Sequence, residues 1–288
     1  MKTPSTMLLT AGLLAFATSA ATYADSFLYE NSLRYENGIT LTTTPSAASD
    51  YFKTTRSGWG SYPGWYANPT GDVRQLTARW DSALGLPDNS AFILKDLHDG
   101  NLLASNTVLA TATISIDSTW VFGDGVASMG VYLGLLNDTG KGYAAYVDRT
   151  GVATLYSIDN PATATDSSTW TVLAGSVKIG RNTSPRTITF SLTDSSLSVS
   201  VSNTHPDYSP VLTYSFGETG IVYTGLDTLV VGAKQAGAEA ARFSDLKIEG
   251  TTSVIPEPKT TAFLLGGVLL LAIVSCRTFS FGGRTKHE

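Results

Sequence analysis

Chemistry on a protein needs carboxylates, imidazoles, thiols or hydroxyls brought within reach of one another, and this chain has few to bring. Only seven glutamates stand in 288 residues: Glu30, Glu36, Glu218, Glu239, Glu249, Glu257 and Glu288. Retaining glycoside hydrolysis needs two carboxylates about 5 Å apart. No Glu-x-Asp-x-Glu or similar strand pair occurs here. Ahead of the C-terminal tail there are two histidines, His98 in a Leu-His-Asp-Gly turn and His205 before Pro206. With no Gly-x-Ser-x-Gly present, they suggest solvent-exposed turn residues rather than a nucleophile's base or a zinc site. No catalytic residue is assigned. Asp96-Leu-His-Asp99-Gly-Asn101 places three oxygen-bearing side chains within six residues, the donors a calcium ion takes from loops. The same residue types are also the default turn formers. Asp96, Asp99 and Asn101 are therefore candidates for a structural calcium, and no other cofactor is expected.

A second local signal is aromatic. Gly58-Trp-Gly-Ser-Tyr-Pro-Gly-Trp-Tyr66 reads as a loop within an aromatic-rich stretch from Tyr51 to Trp80. Exposed rings on a rigid loop stack on the apolar faces of sugars. Trp59, Tyr62, Trp65 and Tyr66 are thus candidates for carbohydrate binding. The competing account has these rings filling the end of a sandwich or covering an open edge.

The elements that must position these residues alternate with period two, and no stretch between residues 25 and 253 carries a helical stripe. Strands are expected at 108–116, ending in Asp117-Ser118, and at 129–136, the latter apolar enough to be buried on both faces. Others are expected at 143–147, 152–158, 170–173, 186–192, 196–201, 212–216, 228–231 and 241–248. Asn137-Asp-Thr-Gly-Lys-Gly142, Asp148-Arg-Thr-Gly151 and Thr193-Asp-Ser195 carry the turn chemistry of hairpins. Turns about every ten residues without helices argue for an antiparallel two-sheet sandwich or jelly roll. The order GYAAYVDRTGVATLY, RTITFSLTDSSLSVSV, TLVVGAK…ARFSDLKIEG resembles the laminin-G/concanavalin-like sandwich over about 101–250. The resemblance implies that a last strand of the type Phe-x-x-Leu-x-Ile returns beside the first. An immunoglobulin-like module is the alternative.

The two ends of the chain carry an address. Lys2, the apolar run 7–17 and small residues to Ala24 make a signal peptide over 1–24, cleaved after Ala20, Ala21 or Ala24. The body, 25–253, has no cysteine, because the single cysteine, Cys276, lies in the tail. It therefore has neither a disulfide nor a thiolate zinc site. Only 15% of the chain is charged, against about 25% in ordinary soluble domains, and Ser and Thr carry the polarity instead. A net charge of −5 without any Lys/Arg cluster excludes nucleic-acid binding.

From Thr260 to Cys276 no charge occurs in 17 residues, a transmembrane helix at the short end of what spans about 30 Å. Arg277, Arg284 and Lys286 follow as stop-transfer charges in a basic cytoplasmic tail, 277–288. Val254-Ile-Pro256-Glu257-Pro258-Lys259 stands just before the span. This tail resembles the PEP-CTERM sorting signal of Gram-negative bacteria. The resemblance implies export, recognition by an exosortase-type membrane protease, and cleavage at or near Pro256-Glu257-Pro258, with the body then released or passed to the cell surface. Ile255 where Val is common, and basic residues scattered rather than clustered, depart from the family pattern. The leading expectation is a non-enzymatic surface or extracellular-matrix protein with a structural or adhesive β-sandwich. The alternative is a carbohydrate-binding module for extracellular or cell-surface polysaccharide. A glycan-active enzyme ranks third.

Overall fold

The computed structural model describes residues 25–31, 33–36, 65–70, 73–78, 90–120, 129–181, 185–204, 206–234 and 241–254. The signal segment, the Pro-Glu-Pro motif, the apolar run 260–276 and the basic tail lie outside the described residues. No helix among the described residues is long and apolar enough to cross a membrane.

Fifteen antiparallel strands are described: β1 (Ser26–Asn31), β2 (Arg34–Glu36), β3 (Trp65–Thr70), β4 (Val73–Ala78), β5 (Ser90–Asp96), β6 (Thr107–Trp120), β7 (Gly130–Asn137), β8 (Gly142–Asp148), β9 (Val152–Ile158), β10 (Thr171–Lys178), β11 (Arg186–Leu192), β12 (Ser196–Val201), β13 (Val211–Ser215), β14 (Leu226–Lys234) and β15 (Ala241–Val254). Among the described residues only short 3-10 turns interrupt them, such as Pro161–Thr163 and Ser167–Thr169. One layer runs β5-β14-β7-β8-β9-β10 and the other β1-β15-β6-β11-β12-β13. They join at a corner where β14 touches β6 through the single pair Leu226↔Leu109. β4 continues the β1 side of β15 and carries β2 and β3. This is the expected all-β jelly-roll sandwich.

Alternation explains the layers. Inward residues such as Leu133, Leu135, Tyr143, Val147 and Leu155 of one layer meet Ile114, Ile116, Phe190, Leu197 and Ile248 of the other in one core. Each fully buried aliphatic or aromatic side chain of this kind stabilises the fold by about 1.5–3 kcal/mol relative to exposure. The outward residues of the second layer are hydroxylated instead. Thr111 bonds Thr251 at 2.9 Å and Thr113 bonds Ser191 at 3.2 Å across strands. Those hydroxyls satisfy a solvated strand face that charges would otherwise cover, which accounts for the low charged fraction.

Several expectations hold and several shift. β9, β11 and β12 span the expected residues, and β7 is buried on both faces. Phe243-Ser-Asp-Leu-Lys-Ile248 does return beside the first strand: β15 lies between β1 and β6. Asp117-Ser118 does not end β6, because Thr187 Oγ1 of the neighbouring strand donates to Asp117 Oδ1 at 2.6 Å. The turn residue is thereby satisfied inside the ladder. β1 to β5 were not anticipated. Trp65 and Tyr66 are not loop residues: they open β3, paired with β4 over Trp65↔Ala78 to Thr70↔Val73.

Candidate functional site

The first layer has a second apolar face, outside the main core. Register places Phe92, Gly232, Tyr132, Tyr146 and Thr154 in one row across five strands. The next row holds Leu94, Val230, Gly134, Ala144 and Tyr156. Glycines between aromatics have a steric reason. A Cβ on Gly232 would stand 2.5 Å from the Phe92 ring, and one on Gly130 would stand 2.1 Å from the ring of Tyr146. Bare backbone at these glycines lets the rings approach closely.

The rings form one cluster. Tyr132 lies 4.6 Å from Tyr146 and 5.1 Å from Phe92, centroid to centroid. Trp170 closes over Phe92, Tyr132 and Tyr156 at 5.2, 5.3 and 5.8 Å. Tilted and edge-to-face contacts of this length are the favourable ones for aromatic quadrupoles. Phe92, Tyr132 and Trp170 are buried, whereas Tyr146 and Tyr156 are only partly so. The cluster thus presents two tyrosines at its surface on an ordered floor.

The loop 159–170 holds Trp170 in place. Tyr132 Oη donates to Ser167 Oγ at 3.0 Å. Asn160 and Asp166 cap the two 3-10 turns by accepting from the Ala162 and Ser168 amides. Asp159 anchors the loop's start by accepting from Tyr223 Oη at 2.6 Å, Thr171 Oγ1 at 2.7 Å and Ser157 Oγ at 3.3 Å. Burial alone would raise the Asp159 pKa. These donors and the nearby Lys141 charge outweigh it and hold the carboxyl below its ordinary value. The Tyr223 phenol is pushed up to about 12, first by that hydrogen bond and then by burial.

In the acidic turn each carboxylate has a protein partner of its own. Asp99 pairs with buried Lys95 at 2.8 Å. Asp96 Oδ1 instead accepts from the His98 amide at 2.8 Å and faces His98 Nδ1 at 3.1 Å. The two carboxylates are engaged by separate partners, and Asn101 serves the turn with φ 59°. Among the described residues no group of three or more His, Cys, Asp or Glu could hold a metal. Nor is His98 an exposed turn residue. Its Nε2 lies 2.8 Å from the Thr107 carbonyl, so the ring brackets the β5–β6 connection. Burial raises the pKa of Asp227, whose carboxylate is 4.0 Å from His98 Nδ1. Glu30 and Glu249 both face Lys247, at 3.7 and 2.7 Å. They are exposed on the other layer, away from the aromatic face.

Of the sequence candidates for sugar stacking, Trp59 and Tyr62 lie outside the described residues, and Trp65 and Tyr66 are known here as strand positions. The tyrosines that do share a face, Tyr132, Tyr146 and Tyr156, were hidden by a correct expectation. A strand apolar on both faces reads as core on both. The usable signal was one parity of β7 and β8, where tyrosines alternate with Gly130, Gly134 and Ala144.

No protein-family model matches the chain, and no curated protein matches it. Among solved structures, the carbohydrate-binding module CBM66 from Bacillus subtilis is similar at TM-score 0.38 and 16% identity, over 65% of this chain and 96% of that one. The VIP36 exoplasmic/lumenal domain in its Ca2+/Man3GlcNAc-bound form is similar at 0.39 and 12%, over 75% and 83%. The alginate lyase A1-II' is similar at 0.39 and 10%, over 65% and 83%. None of them assigns a role to a residue of this chain.

Proposed function

We propose that the chain is an exported, non-enzymatic surface or extracellular-matrix protein whose sandwich binds polysaccharide through the outer face of β7, β8 and β9. The observation that carries this reading is the aromatic floor. Partly buried Tyr146 and Tyr156 rest on buried Tyr132, Phe92 and Trp170. Rings fixed before the ligand arrives lose little freedom on binding, and a pyranose stacks its C–H face on such a surface. The non-enzymatic part rests on the same face: among the described residues its two rows carry aromatic and aliphatic side chains, glycines and a threonine, with no carboxylate in either row.

Export and sorting belong to the same proposal. The N-terminal segment directs translocation, the apolar run 260–276 holds the chain transiently in the inner membrane, and an exosortase-type protease cuts at Pro256-Glu257-Pro258. The body then reaches the surface or the extracellular space. The two prolines keep that segment extended and unable to continue a helix, leaving its backbone open to a protease.

The binding reading is tested by native electrophoresis through gels containing a neutral glucan such as pullulan, together with an acidic glycan. The pair Tyr146→Ala and Tyr156→Ala is expected to abolish retardation while the circular dichroism spectrum stays unchanged. Retardation equal to that of the unmodified chain would overturn the reading.

A further inference from the structure

The open edges of the two layers are not alike. On one side of the sandwich β10 ends the first layer and β13 the second, and the two strands run close together. β10 is a poor template for a further strand. Its ladder with β9 shifts register twice, between Val172 and Ala174 and again between Ala174 and Val177, and Ser176 stands at φ 58°. Bulges of this kind twist an edge away from pairing.

β13 carries no such device. Val211-Leu-Thr-Tyr-Ser215 keeps one register with β12 from end to end, without a bulge, a proline or a charge. A contact just past its end sets the phase of its hydrogen bonds. The Phe216 amide donates to Ser195 O at 2.9 Å. Hydrogen-bonded pairs alternate along an antiparallel ladder, so Leu197↔Tyr214 and Val199↔Leu212 are the next two. The N–H and C=O groups of Val211, Thr213 and Ser215 therefore point away from β12, and all three residues are exposed. Ser209 Oγ donates to the Val211 carbonyl at 3.0 Å. Among the described residues nothing else meets this row.

The row is also complementary to itself. An antiparallel copy centred on Thr213 sets Thr213 opposite the partner's Thr213, and Val211 opposite the partner's Ser215. In that register the outward groups exchange N–H···O bonds at every position, and no charge meets its like. The neighbouring side chains on β12 are small hydroxyls, with Ser198 beside Thr213, Ser196 beside Ser215 and Ser200 beside Val211. They offer a foreign peptide no pockets for its alternate side chains, which is where strand addition finds specificity. A second copy needs none.

We propose that β13 pairs with β13 of a second copy of this chain, joining the two second layers into one sheet across a two-fold at Thr213. So short a strand buries less than a standard interface, which makes the dimer weak and concentration-dependent. The two-fold stands perpendicular to the joined sheet, so the outer faces of β7, β8 and β9 in both copies look the same way. Where those faces hold polysaccharide, two sites on one particle multiply a modest affinity. The pairing itself does not depend on the glycan reading and stands if that reading fails.

The test is analytical sedimentation of the full-length chain in mild detergent, from about 1 µM to about 1 mM. The unmodified chain is expected to pass from one to two copies per particle over that range. Thr213→Lys and Thr213→Glu each set like charges face to face across the two-fold, the device that edge lysines supply in natural sheets. Each variant alone should associate at least about tenfold more weakly. An equal mixture of the two should recover the dimer, because opposite charges then meet, and recovery also shows that both variants fold. A single copy at every concentration of the unmodified chain would overturn the proposal. So would single variants that associate as the unmodified chain does, which would put the contact elsewhere, the apolar run 260–276 included. A mixture no better than either variant would overturn pairing about Thr213.

Discussion

Asp159 and Tyr223 show how a single hydrogen bond can fix the edge of a site. The phenol donates to the carboxylate at 2.6 Å, and the bond shifts the two groups in opposite directions. The Asp159 pKa is depressed, so its stabilisation is present above about pH 4 and is lost as pH falls through the folded value. The Tyr223 pKa is raised, so its stabilisation is complete below about pH 10 and disappears as pH climbs to about 12. Both groups sit largely in solvent, which limits the bond to about 1 kcal/mol. Tyr223→Phe is expected to lower unfolding stability by that amount at neutral pH. It should also flatten the loss expected of the unmodified chain between about pH 10 and 12. Urea titrations across that range check both, and a variant with the wild-type alkaline slope would contradict the assignment.

At the scale of elements, the β8–β9 turn carries more than a change of direction. Asp148-Arg-Thr-Gly151 has the composition of a hairpin turn, and Gly151 adopts φ 86°. A Cβ there would also stand 2.3 Å from the Gly180 carbonyl oxygen. That contact is backbone and cannot swing aside. Gly151→Ala is therefore expected to cost about 2–3 kcal/mol, combining the left-handed penalty with a displaced turn. Thermal unfolding reads the loss, and a melting temperature equal to that of the unmodified chain would contradict it.

On the scale of the whole molecule, the first and last strands close the sandwich together. Ser26 pairs with Thr251 and Asn31 with Leu246, while the other side of β15 runs along β6 to Val254. The proposed processing segment begins two residues later. Cleavage there would remove no ladder bond of the body. A chain ending at Val254 is expected to melt within a degree or two of the full chain. One ending at Ile248 should not fold, because it loses half of the β1 pairing and the end of the β6 pairing. The triple change Pro256→Ala, Glu257→Ala, Pro258→Ala should leave the body membrane-bound in the producing cell, read by fractionation and immunoblot. Normal release would remove the Pro-Glu-Pro segment from the proposal.

Much of this architecture was legible in the chain because alternation is a local signal. β9, β11 and β12, the turns between their neighbours, and the returning Phe243–Ile248 strand all follow from which residues must face inward. The readings of the two end segments rest on the sequence alone, because they lie outside the described residues. What only the tertiary structure decided was which outward residues share a face. Phe92, Tyr132, Tyr146, Tyr156 and Trp170 come from five places between residues 92 and 170, and only cross-strand register sets them in adjoining rows. Asp96 and Asp99 make the converse case. Their spacing makes them candidates for a shared ion, and only the folded chain gives each a protein partner as well, Lys95 for Asp99 and His98 for Asp96. Periodicity specifies the face a side chain takes; strand pairing alone specifies its neighbours, and a site is made of neighbours.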